Sequence, residues 1–308
     1  MTAADVCDAL IRANLVAGAA ILAVLSVRIP ARRCFGPEVA YRLWAAPPLS
    51  VAATLIPLRA SPAAFGHPLP HLAPVGLSPA LLAVWVGGLV LAAALMWRAQ
   101  VAFLAAARCG RAGPALVGVI APRLVMPPDD GRYTPAERDL IRAHEREHML
   151  REDPRAGALM AAAQCVAWFN PLVHLAARMA RLDQELACDA GVMRRRPEAR
   201  ALYARTLLKT QLAGAALPLG CYWPARSRHP LEVRVALLRR RPDDRSLAGP
   251  LLVTAGVMST ALLAAAVEPP LPIAPTRAAP PIDETGPISM SVMLVTWRAP
   301  ASAAARTR

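Results

Sequence analysis

The stretch PALLAVWVGGLVLAAALMW, Pro79 to Trp97, decides the architecture, because it runs for 19 residues without a charge. A helix rises about 1.5 Å per residue, so this one covers the hydrocarbon of a bilayer, which takes about 20 apolar residues. LAGPLLVTAGVMSTALLAAAV (Leu247 to Val267) is equally apolar. Leu10 to Ile29 also qualifies, with Arg12 near its outer end; Val39 to Leu58 is weaker, interrupted by Pro47, Pro48 and Pro57. The sequence therefore predicts an α-helical integral membrane protein with four transmembrane helices, at about 10–29, 39–58, 79–97 and 247–267. No charged n-region precedes the first span and no cleavage site follows it, so it reads as an anchor and not as a removed signal peptide.

Composition agrees. Of 308 residues 56% are hydrophobic and only 18% charged, against roughly 25% charged in ordinary soluble domains. The formal net charge is +14, and its placement sets the orientation, because cytoplasmic loops retain Lys and Arg. Arg28, Arg32, Arg33 and Arg42 bracket the loop between spans one and two, whereas residues 60–78 carry neither Lys nor Arg. Residues 98–247 hold 25 of the 35 basic residues against 15 acidic ones. The expected order is a membrane domain with three spans (1–108), a cytoplasmic domain (109–246), a fourth span (247–267) and an outer Pro-rich tail (268–308) too polar to pack. Both termini then lie outside.

Several classes fall away. Aromatics make up 5% of the chain, poor material for stacking bases. The Arg runs Arg194–Arg196 and Arg239–Arg241 read as orientation signals that touch anionic lipid, so no direct nucleic-acid contact is expected. The six cysteines follow no metal or disulfide spacing. His67 and His71 in the outer loop flank Pro68 and Pro70, which preclude a shared helical face.

The chemistry lies in the cytoplasmic domain. His144-Glu145-Arg146-Glu147-His148 is an H-E-x-x-H, which on a helix puts both imidazoles on one face within reach of one zinc ion and leaves Glu145 beside them as a base. Thr134-Pro135-Ala136-Glu137 supplies the helix start: an N-cap, proline at N1 and the acid of a capping box. A third protein ligand is still required. Downstream, Asn170-Pro171 opens a second helix on which Glu185 and Asp189 share a face. Glu185 is the expected third ligand, and Asp189 the acceptor of a ligand histidine's other ring N–H. His174 competes for the ligand role, but lies three turns from Glu185 and is read as packing or capping. Tyr203 and His229 are candidates for steadying an oxyanion that the sequence does not place. The apolar run 156–167 cannot be a single crossing, because His148 and Glu185 must meet at one metal; a helix packed in the core is expected there in preference to a half-embedded helix or a re-entrant hairpin.

HEREHMLRED (His144 to Asp153), WFNPLVHLAARM (Trp168 to Met179) and ELACD (Glu185 to Asp189) resemble the BlaR/MecR-type family of membrane zinc metallopeptidases. The resemblance implies a gluzincin-like, mainly α-helical peptidase domain between spans three and four of a multi-pass protein in a bacterial-type inner membrane. It assigns one Zn2+ to His144, His148 and Glu185, with Glu145 as catalytic base. It also implies peptide hydrolysis on the cytoplasmic side in regulated signalling, with a transcriptional repressor or the chain itself as substrate. The alternatives are a quality-control protease of membrane proteins and a non-catalytic signalling scaffold. Asp153 matches an Asp of the family but reads, before Pro154, as a helix N-cap; His229, in a His-Pro segment also found in the family, is read as structural. The S-x-x-K motif of the family's β-lactam sensors is absent, since Thr206-Leu207-Leu208 precede the single Lys209, so no covalent β-lactam binding is expected.

Overall fold

The computed structural model describes residues 2–55, 78–109, 114–126, 129–212, 230–238 and 248–265, all within one compact unit. The elements are α1 (Ala3–Phe35), α2 (Pro37–Arg42), α3 (Ala46–Leu55), α4 (Ser78–Arg108), β1 (Ala115–Val117), β2 (Arg123–Val125), α5 (Pro135–Leu150), α6 (Asp153–Val166), α7 (Pro171–Arg195), α8 (Arg200–Leu212), α9 (Pro230–Leu238) and α10 (Ala248–Ala265). The loop bearing His67 and His71, His229, the ends of the second and fourth expected spans and the tail 268–308 lie outside the described residues.

The described residues are α-helical apart from one small antiparallel ribbon, in which Leu116 of β1 stands opposite Leu124 of β2. Among the described residues, α1 and α4 are long and apolar enough to cross a membrane. Helix α4 keeps its apolar surface exposed, Val84, Val90, Leu91 and Trp97 included. The expected second span is not one helix. Helix α2 gives way to a 3-10 turn at Leu43–Ala45, and α3 restarts at Ala46. Pro47 and Pro48 explain the restart: they lack N–H groups and fit only the first turn, where no intrahelical donor is needed.

Helices α1, α2, α3 and α10 meet in an apolar cluster of Val24, Val39, Leu43, Ala46, Val253 and Val257. A second cluster, Leu140, Val192, Met193, Tyr203, Leu207 and Leu238, joins α5, α7, α8 and α9. The two halves are tied through α7, which runs parallel to α1. Asn170 Nδ2 donates to Asn14 Oδ1 at 3.0 Å, and Ile21 packs with Val173 and Ala176. Further along, Arg28 Nη1 donates to both oxygens of Asp183 at 3.1 and 2.9 Å, joined by Arg32 Nη1 at 3.4 Å and Trp44 Nε1 at 2.9 Å. Asp183 is fully buried. Arg28, expected only as an orientation signal, is a buried structural cation.

Helix α6 corrects the expectation of a core-packed segment. Of the run 156–167 only Ala161, Gln164 and Ala167 are buried, whereas Leu159, Val166 and, just beyond, Phe169 are exposed. Its end lies against α4: Trp85 Nε1 donates to the Val166 carbonyl at 2.8 Å, and Trp168 Nε1 to the Trp85 carbonyl at 3.3 Å. Gly88 permits this approach, since a Cβ there would collide with the Trp168 ring. Helices α6 and α7 thus form a hairpin whose tip reaches the apolar stretches of α4 and α1. His174 serves that tip, its Nε2 2.9 Å from the Trp168 carbonyl and its Nδ1 3.2 Å from Gln164 Nε2. Helix α6 thus carries exposed apolar residues beside α4, one of the two long apolar helices.

Candidate metal centre

Helix α5 starts as its sequence dictates. Glu137 N donates to Thr134 Oγ1 at 3.3 Å, and Thr134 N donates to Glu137 Oε2 at 2.8 Å, with Pro135 at N1. Helix α7 starts with Asn170 Oδ1 accepting from Leu172 N at 3.0 Å. These caps set where each helix begins, and the packing of α5 on α7 brings His144 and His148 to Glu185 and Asp189.

His144 Nε2 and His148 Nε2 are 3.2 Å apart. Glu185 spans them, Oε2 at 3.4 Å from His144 Nε2 and Oε1 at 3.5 Å from His148 Nε2. Ligands about 2.0–2.1 Å from a tetrahedral cation stand about 3.3 Å from one another. The two Glu185 contacts run to different oxygens of its carboxylate, so the carboxylate faces the histidine pair across a gap of the size that separates ligands on one cation.

The outer hydrogen bonds settle the tautomers. His148 Nδ1 is 2.7 Å from Asp153 Oδ2, so the acid requires Nδ1 to carry the proton. His144 Nδ1 is 2.8 Å from the Tyr203 hydroxyl, which gives its own proton to Asp189 Oδ1 at 2.6 Å. Tyr203 can then only accept from His144. With Nδ1 protonated on both rings, the two Nε2 atoms face each other at 3.2 Å and are the atoms that could bind a metal; without one, a proton on His148 Nε2 bridges them.

Asp189 therefore stands one hydrogen bond further back than expected, 3.5 Å from His144 Nδ1 and acting through Tyr203. Tyr203, buried behind His144, is spent on that link, which removes it as an oxyanion candidate. The N-cap reading of Asp153 is corrected. Glu152, in the left-handed region at φ 57°, precedes the helix, so Asp153 sits in the first turn of α6 with its carboxylate free to face His148.

Arg234 of α9 was not singled out by the sequence reading. It is 5% exposed; Nη1 lies 2.8 Å from Glu185 Oε2, while Nε and Nη2 reach the two oxygens of Asp189 at 2.8 and 2.7 Å. An arginine within the otherwise largely apolar PLEVRVALL was the available signal. Cys188 was also missed. Its Sγ lies 3.1 Å from His148 Nδ1 and, with His144 and His148, makes up a possible metal-holding group. It stands on the edge of His148 that Asp153 already occupies, and burial, reinforced by Glu185, pushes its thiol well above the usual value. Glu185, by contrast, faces both Nε2 atoms.

Burial pushes Glu145 up, only partly offset by the two histidines. Withdrawal from water would raise Glu185 too, but Arg234 and His144 outweigh it and hold that carboxyl well below the usual range. Burial pulls His148 down, yet the Asp153 hydrogen bond and the Glu185 charge leave it raised. Glu147, the other acid of the motif, points away and pairs with Arg195 Nη1 at 2.7 Å. The flanking Arg194 and Arg196 are paired with Glu38 and Asp139. Glu145 is thus the motif's acid next to the histidines.

Residues 64–238, more than half of the chain, match the family described as BlaR1 peptidase M56. The chain belongs to this family. Membership makes it a metallopeptidase-type protein, and with its two apolar helices it is similar to membrane signalling proteins of BlaR type. The chain is similar to Regulatory protein BlaR1 of Bacillus licheniformis, 31% identical over 81 residues. That match spans 26% of this chain and only 14% of the relative. No solved structure matches it.

Proposed function

We propose that this M56 chain is a membrane-embedded zinc metalloendopeptidase whose ligands are His144, His148 and Glu185 and whose catalytic base is Glu145. The observation that carries the reading is the pair of Nε2 atoms 3.2 Å apart, capped by the Glu185 carboxylate and flanked by a buried acid. A His2Glu set with an open fourth position is the donor set of zinc peptidases. Bound there, zinc supplies an acidified water and polarises the scissile carbonyl. Glu145 takes up a proton at its carboxylate and passes it to the leaving amine, a task suited to a carboxyl that burial raises. Asp153 holds the His148 tautomer, and the Tyr203–Asp189 pair holds that of His144.

Four spans fit this chain, with the metal site on the cytoplasmic side. Supporting this are the clustering of arginines at the Arg28 end of α1, the exposed apolar surface of α4, and the apolar α10 packed on α1 and α3. On this topology α6 and α7 enter the membrane from the cytoplasm as a re-entrant hairpin and return to it. The substrate class is a cytoplasmic repressor or the chain itself, in regulated signalling, as the regulatory name of the relative suggests. The test is co-expression of wild type and Glu145→Ala with candidate repressors, followed by mass spectrometry of cleavage products. Products should appear only with wild type, while the variant still binds zinc; identical products from both would sink the protease reading.

A further inference from the structure

Asp153 accepts hydrogen bonds from two directions. Oδ2 faces His148 Nδ1 at 2.7 Å and Arg151 Nη2 at 3.1 Å, while Oδ1 accepts from the Tyr41 hydroxyl at 2.9 Å. Tyr41 belongs to none of the helices that build the metal site. It stands on α2, the short helix between α1 and α3. We infer that Tyr41 is a positioning residue for the metal ligand His148, acting through Asp153, so that the placement of α2 sets the aim of His148 Nε2. This rests on the metallopeptidase reading above.

Asp153 is 3% exposed, so an oxygen that lost Tyr41 would have no bulk water to replace it. The carboxylate would turn towards its remaining donors, His148 and Arg151, and carry the imidazole with it. Such outer partners orient ligand histidines closely enough to govern metal affinity. Helix α2 is well placed to exert this control because it is held at both ends. Glu38, near its start, pairs with Arg194, and Trp44, just past its end, donates to Asp183 at 2.9 Å, both partners lying on α7. The Arg151 guanidinium lies 5.7 Å from the centre of the Tyr41 ring. These contacts clamp α2 on α7, so Tyr41 presents its hydroxyl to Asp153 from a fixed position, and the segment that joins α1 to α3 reaches His148 through two hydrogen bonds.

The experiment compares zinc affinity of the full chain in nanodiscs, by competition with a chromophoric chelator, for wild type, Tyr41→Phe, Asp153→Asn and the double variant. The visible bands of the cobalt-loaded proteins report ligand geometry. Phenylalanine keeps the ring and its packing on Arg151 and removes only the hydroxyl. Tyr41→Phe should weaken zinc binding about tenfold and shift the cobalt bands, and the double variant should bind no worse than Asp153→Asn alone. A Tyr41→Phe protein within about twofold of wild type, or a loss that adds in full to that of Asp153→Asn, would overturn the inference. Wild type that binds no zinc would overturn the metallopeptidase reading itself, before any variant is compared, and the inference with it.

Discussion

Arg234 Nη1 lies 2.8 Å from Oε2 of Glu185, and the rest of the guanidinium closes on both oxygens of Asp189. One buried cation from α9 thus orders the two carboxylates of α7 that serve the site. Arginine suits the position because its planar fork can address two acids at once.

Arg234→Ala should therefore destabilise the protein severely. Removing one member of a buried ion pair costs about 3–5 kcal/mol, because the partner charge stays buried without compensation. Thermal unfolding of the purified protein checks this, with a midpoint well below that of wild type expected. An unchanged midpoint would mean that the two acids find other partners.

Asp183 is the corresponding joint between α1 and α7. Asp183→Asn leaves Arg28 buried against a neutral amide and should destabilise by a similar amount, on the order of 3 kcal/mol. Combining it with Arg28→Met removes both charges and should restore part of the loss, a non-additivity that a double-mutant cycle reads directly. Fully additive losses would show that the pair does not couple the helices.

Zinc loading should depend on pH through His148. Its pKa without metal is raised above the ordinary 6.5, and zinc must displace the proton from that imidazole. Affinity should be full above the raised value and fall about tenfold per pH unit below it, so the decline begins on the alkaline side of 6.5. Chelator competition between pH 5 and pH 9 gives the profile. A decline starting only below pH 6 would contradict the protonated Nδ1 held by Asp153.

Stability should carry a separate acid limb from Glu137. The Thr134 backbone N–H and then Lys209 Nζ, at 3.1 and 3.0 Å, hold this carboxyl below its ordinary 4.5. Because the folded value is depressed, the stabilisation is fully present above the unfolded value and is lost as pH falls through the folded one. Glu137→Gln should lower stability at pH 7 and flatten the dependence below pH 5, as followed by denaturant titration. A variant that keeps the wild-type slope would place the effect on other acids.

Much of the site could be read from local spacing. Thr134-Pro135-Ala136-Glu137 and Asn170-Pro171 mark helix starts through contacts within three residues, and the four-residue spacing of His144 and His148 needs only the helical repeat. Asp153 was misread by the same kind of reasoning: an acid before a proline reads as a cap, and only the left-handed backbone at Glu152 shows that the helix has already begun. The apolar face of α6 was assigned to a core because a sequence shows that a residue avoids water, not whether protein or lipid takes its place.

By itself the sequence determined an α-helical chain with apolar helices and an acid beside two histidines one turn apart, since these follow from composition and short-range periodicity; the family came from the resemblance of its motifs. The tertiary structure alone decided that Glu185 faces both Nε2 atoms, that Arg234 ties Glu185 to Asp189, and that Tyr41 reaches His148 through Asp153. Glu185 is 37 and 41 residues from His148 and His144, Arg234 is 45 and 49 from Asp189 and Glu185, and Tyr41 is 112 from Asp153. At such separations neither helix phase nor charge pattern constrains which side chains meet. That is set by how α2, α5, α7 and α9 pack, and by the requirement that every buried carboxylate find a donor.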